Sequence, residues 1–113
     1  MINRAAIILK CKKPFILWLN ESDPYDDNPG ITLEMANQDR TVYLIQEDDA
    51  ENFEEWVSLN FMNLFENELE SWYTDESLWP TDRNKRLFDE WFEVECHSAL
   101  VDTVGGDITD DEI

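Results

Sequence analysis

The sequence predicts an α+β fold: a small three-stranded sheet covered by helices, in the order β-α-β-α-α-β, with the last two helices packed as an antiparallel pair. Three observations lead there. Short runs rich in β-branched residues occur near both ends and around residue 43, apolar arcs of helical period lie between them, and clusters of turn-forming residues separate the pieces. Residues 1–104 read as a single domain and residues 105–113 as an acidic flexible tail.

The first strand is "AAIILK", Ala5 to Lys10, a short apolar run. Pro14 is a favourable first-turn residue, and Phe15, Leu17, Trp18 and Leu19 make a short amphipathic helix that stops before Asp23 and Pro24. "DPYDDNPG" reads as turns, and "ITLEMANQ" as one helical turn capped by Thr32. "RTVYLIQ", Arg40 to Gln46, is the clearest strand. A right-handed parallel crossover is expected to join it to the first.

The longest helix runs through "EDDAENFEEWVSLNFMNLFENELESWY". Phe53, Trp56, Val57, Phe61, Leu64, Phe65 and Trp72 fall on one broad arc at 100° per residue. Asp48 or Asp49 is the expected N-cap, with Glu51 in the first turn. The linker "WYTDESLWP" leads to a third helix capped by Thr81 and carrying Leu87, Phe88, Trp91 and Phe92. "HSALVDTV", His97 to Val104, reads as the last strand.

Length and composition bound the function. A chain of 113 residues with 42% hydrophobic content can pack one core. Its 27 acids against 8 bases give a formal net charge of -19, which argues against direct contact with nucleic-acid phosphates or anionic membranes. A basic protein partner fits that balance. The N-terminal apolar stretch is split by Lys10, Lys12 and Lys13, so neither half spans a bilayer, and a cytoplasmic protein with reduced cysteines is expected. Cys11 and Cys96 have no motif spacing.

Motifs for chemistry are sparse. His97, Ser98 and Asp102 superficially suggest a nucleophilic constellation, but in a strand His97 and Ser98 point to opposite faces and cannot share a proton. One histidine and two distant cysteines do not make a zinc site. The acidic turn with Asp26, Asn28 and Gly30 fails as a calcium loop: its glycine comes one position early and Asn37 stands where a bidentate Glu belongs. Three glycines supply no phosphate-binding loop, and no cofactor is expected. Of five tryptophans, Trp18, Trp56 and Trp91 lie on apolar helix faces, while Trp72 and Trp79 flank the linker and are candidates for partner contact.

The stretches "KPFILWLNESDP", "RTVYLI", "FEEW", "WYTDESLWP" and "CHSALVD" together resemble a group of small acidic bacterial proteins of unknown function. The resemblance covers most of the chain. It implies a bacterial cytosolic origin and carries no activity, cofactor or site.

Charge placement gives the functional expectation. Glu66, Glu68 and Glu70 crowd the end of the long helix, and Arg83, Lys85 and Arg86 the start of the next, each against the helix dipole. An antiparallel pair brings these two ends together, with Glu68, inside the apolar arc, most in need of a cation. It also places Asp48, Asp49, Glu51, Glu54 and Glu55 near Asp89, Glu90, Glu93 and Glu95, an acidic cluster with no base beside it. The leading expectation is therefore a non-enzymatic interaction module that engages a basic protein through Asp48, Asp49, Glu51, Glu55, Glu90 and Glu93, with Trp72 and Trp79. The alternatives are a small enzyme or ligand-binding protein with a pocket near His97, and a DNA mimic.

Overall fold

Alternation along β1 (Arg4–Cys11) sorts its side chains: Ala5, Ile7 and Leu9 enter the core, while Ile8 and Lys10 lie on the other face. The structure, a computed structural model, describes residues 1–22, 30–38 and 40–109. The chain continues through α1 (Lys13–Ser22), α2 (Leu33–Ala36), β2 (Val42–Gln46), a 3-10 segment (Glu47–Asn52) and α3 (Phe53–Trp72). A 3-10 turn (Glu76–Leu78), α4 (Lys85–Trp91) and β3 (Phe92–His97) follow. The fold is α+β, with β1 at the centre of a sheet ordered β2-β1-β3.

Both pairings of β1 are antiparallel, with Ala6 opposite Leu44 on one side and His97 on the other. The expected parallel crossover between β1 and β2 is thus corrected. The reason lies at Asn37. Its side-chain carbonyl accepts from the Cys11 N–H at 2.9 Å, and its amide donates to the Cys11 carbonyl at 3.2 Å. The chain therefore returns to the C-terminal end of β1 before β2 begins, and β2 runs back along it. Thr32 caps α2 as expected, accepting from the Met35 N–H.

Three boundaries differ from the sequence reading. Asp48 and Asp49 do not cap α3; they sit in the 3-10 segment that precedes it. Asn84, not Thr81, caps α4, accepting from the Leu87 N–H at 2.8 Å. The last strand is Phe92–His97, and Ser98 to Val104 lie beyond it. "FEVECH" alternates apolar and polar, so Phe92, Val94 and Cys96 pack against the core while Glu93 and His97 are exposed. The turn sequence Asp23 to Pro29, with Asp26 and Asn28, falls outside the described residues, as do residues 110–113.

The helices cover one face of the sheet. Phe15, Phe65, Phe88 and Phe92 are fully or almost fully buried, and with Trp18 and Trp91 they form a continuous aromatic cluster. Contacts between α3 and the α4 segment run in opposite order: Glu66 approaches Arg83 and Phe61 meets Phe88, while Val57 shares a cleft with Phe92. That is the antiparallel pair the charges suggested. Among the described residues no helix is long and apolar enough to cross a membrane.

Candidate functional site

The linker is a structural joint. Asp75 caps its 3-10 turn by accepting from the Ser77 N–H, the Tyr73 hydroxyl donates to the Leu19 carbonyl at 2.6 Å, and the Trp18 indole donates to the Leu78 carbonyl. Trp79 is buried, donates to the Tyr73 carbonyl, and is covered by the Arg83 guanidinium 5.6 Å from its ring centroid. Trp79 is therefore core, which corrects its place among the partner-binding candidates. Trp72 remains on the surface.

The acidic cluster divides in two. Asp89 and Glu90 have cationic partners, because α4 carries Lys85 and Arg86 one turn earlier on the same faces: Lys85 Nζ lies 2.7 Å from Asp89 and Arg86 Nε 3.5 Å from Glu90. Lys12 Nζ also donates to the Asp89 carbonyl. Glu93 lines a cleft of about 470 Å³ with Lys12, Lys85, Glu54 and Asp89, over a floor that includes Phe53, Val57 and Phe92. The expectation that no base stands at this end is thus corrected. It fails because α4 is short and β3 begins at Phe92, which turns Glu93 onto the sheet and brings Lys12 alongside.

The other half has bases nearby but no direct pairing: Arg4 shares a cleft with Glu47 and Asp48, and Lys12 and Lys85 share one with Glu54. Glu47, Asp48, Asp49 and Glu51 of the 3-10 segment and Glu54 and Glu55 of α3 make no ion pair within 4 Å among the described residues. Next along the outer side of α3 come Leu59, 79% exposed, and Met62, at i+4 and i+7 from Glu55. Sequence reasoning missed this stripe because it followed the buried arc and left the opposite side unread.

Around Glu68 lies a second kind of site. Glu68 is 8% exposed, and its carboxylate has no hydrogen-bond or ionic partner among the described residues. Burial pushes its carboxyl up to about 7. It lines a cleft of about 200 Å³ with Leu9, Cys11, Ala36, Arg40, Thr41, Ser71 and Trp72. The Arg40 Nη1, buried, also lacks an acceptor. Burial and then the Glu68 charge push the Cys11 thiol and the Tyr43 hydroxyl each up to about 12. Sequence reasoning marked Glu68 as needing a cation; Arg40, from another element, shares its cleft without forming the ion pair.

His97 is exposed, and its Nε2 lies 3.2 Å from Glu95 Oε2. It lines none of the clefts at Arg4, Lys12, Glu68 or Pro80. Asp102 accepts from the Val104 and Gly105 N–H groups. No catalytic contact joins His97, Ser98 and Asp102 among the described residues. Cys11 lies opposite Phe92 and Cys96 opposite Ile7, so four residues of strand, about 13 Å, separate the two cysteines, too far for a disulfide.

Comparison with known proteins returned no matching family model, no matching curated protein and no matching solved structure.

Proposed function

We propose that this protein is a non-enzymatic binding module that engages a basic protein partner along the ridge formed by the 3-10 segment and the outer side of α3. Exposed Leu59 beside the unpaired carboxylates supports the reading most directly. Carboxylates alone would suit a solvated surface; a leucine and a methionine in line with Glu55 give an apolar strip that a partner can cover. Burying a leucine side chain contributes roughly 1.5–3 kcal/mol, whereas the flanking charges mainly raise the encounter rate and set orientation. The partner surface is accordingly cationic around a small apolar centre. Glu90 and Glu93, with lysine and arginine beside them, fall outside this ridge.

The test is capture from native lysate at low and high salt, using the wild-type chain and a Glu55→Lys/Leu59→Ser bait. The reading expects a basic protein held at low salt, released at high salt, and absent from the double-variant bait. Equal capture by both baits contradicts it.

A further inference from the structure

β3 ends the sheet on one side, and register fixes which of its backbone groups face outward there. One step beyond the Cys11–Phe92 pair, Lys12 donates its N–H to the Trp91 carbonyl at 2.8 Å. Backbone direction alternates along an antiparallel pair. Glu93, Glu95 and His97 therefore turn their N–H and C=O groups to β1, and Val94 and Cys96 turn theirs away from it. Among the described residues no strand or loop backbone pairs with those outward groups. Val94 and Cys96 are only half-buried. An unpaired edge of this kind is a template for another extended chain.

The two sides of the edge differ. On the core-facing side lies the cleft of about 470 Å³, walled by Phe53, Val57, Phe92 and Val94. On the opposite side Glu93 and Glu95 form an acidic row. Glu93 makes no ion pair among the described residues, while Glu95 meets Lys10 at 3.6 Å and His97 at 3.2 Å. The two lysines of the cleft, Lys12 and Lys85, are engaged at Asp89.

We propose that the outer edge of β3 takes up an extended peptide strand in which apolar residues alternate with lysine or arginine. The strand adds antiparallel, as both existing pairings do. Its residue opposite Val94 exchanges both backbone hydrogen bonds with it and sends an apolar side chain toward Phe53 and Val57. The residues on either side point the other way and set cations opposite Glu93 and Glu95. Charge selects this occupant over two others. A second copy of β3 would set glutamates against glutamates, and the chain's own residues 105–113 are acidic. This edge is separate from the ridge on α3 and does not depend on it.

The experiment is calorimetry on the full chain with an acetylated, amidated peptide of about seven residues alternating valine and lysine. The same composition in two blocks, and a version with glutamate for lysine, are each expected to bind at least about tenfold more weakly. N-methylation of the valines should abolish binding, because their N–H groups face Val94 and Cys96. N-methylation of the lysines, whose N–H groups face solvent, should be nearly silent. Val94→Pro removes an outward donor and no bond to β1; checked for folding by circular dichroism, it should lose at least about tenfold in affinity. Glu93→Lys, an exposed change, should weaken binding, while Glu55→Lys, of the same net charge but on the ridge, should leave it nearly unchanged. Absence of binding by the alternating peptide, equal binding by the block peptide, equal effects of the two N-methylations, or equal effects of Glu93→Lys and Glu55→Lys would overturn the proposal.

Discussion

Glu68 sits on α3 directly before Leu69 and one turn after Leu64 and Phe65, all buried, so the helix carries its carboxyl out of water whether or not a partner is present. Its folded pKa is raised from an ordinary 4.5 to about 7. A raised acid binds its proton more tightly in the native state, so it costs stability as pH rises. The cost is absent below the unfolded value, grows between the two, and is complete above the folded one. The displacement corresponds to about 3 kcal/mol. Glu68→Gln should therefore stabilise the protein by about 1–3 kcal/mol at about pH 8, and by little at about pH 4, the amide's own hydrogen-bonding needs accounting for the range. Urea unfolding at both pH values reads this out; an equal effect at both would contradict the assignment. The cysteines give a second residue-scale expectation. Both thiols are raised by burial, Cys11 the further, with Glu68 adding to it. Thiol titration of native protein should label Cys96 first, and unreduced, unfolded protein should yield two equivalents.

At the scale of elements, Asn37 and Asn84 hold joints that single-residue propensities do not reveal. Asn37→Ala leaves the Cys11 N–H and C=O at the end of β1 without their side-chain partners, which should cost about 1–3 kcal/mol. Asn84→Ala should cost about 1 kcal/mol as a lost N-cap, while Thr81→Ala should be nearly silent. Chemical denaturation of the three variants checks both, and a Thr81→Ala loss exceeding that of Asn84→Ala would contradict the observed cap. These sites also mark where the sequence was legible. β1, α1, the Thr32 cap and α3 stand out because each carries an unbroken period or a cap beside it. The α4–β3 boundary does not, because Trp91 and Phe92 continue a helical arc and also begin the alternation of "FEVECH"; pairing with β1 decides between them. The sense of β2 was hidden because it depends on Asn37 reaching Cys11 across intervening turns. The Glu68 cleft was half legible: the buried acid showed in the arc, but Arg40 is brought to it only by the fold.

For the whole molecule, the charge of -19 is unevenly compensated. Lys85 and Arg86 pair with the acids of α4 and Lys10 with Glu95 on β3, while the acids of the 3-10 segment and the start of α3 make no ion pair among the described residues. Self-repulsion of that kind is screened by salt, so Tm should rise with added sodium chloride near neutral pH. A flat or falling Tm would mean that the local ion pairs outweigh the global repulsion. Removing residues 105–113 should leave Tm within roughly a few degrees, because Val104 and Ile108 are exposed and, among the described residues, the last backbone-to-backbone tie runs from the Ile2 N–H to the Leu100 carbonyl. The central claim is that the ridge of Glu51, Glu55, Leu59 and Met62, and not acidity in general, recognises a basic partner. It is tested most directly by titrating the captured partner against Glu55→Lys and Glu70→Lys, variants of identical net charge on the same helix. The account predicts a marked loss of affinity for Glu55→Lys and near wild-type affinity for Glu70→Lys; equal losses would show that only total charge matters and contradict it.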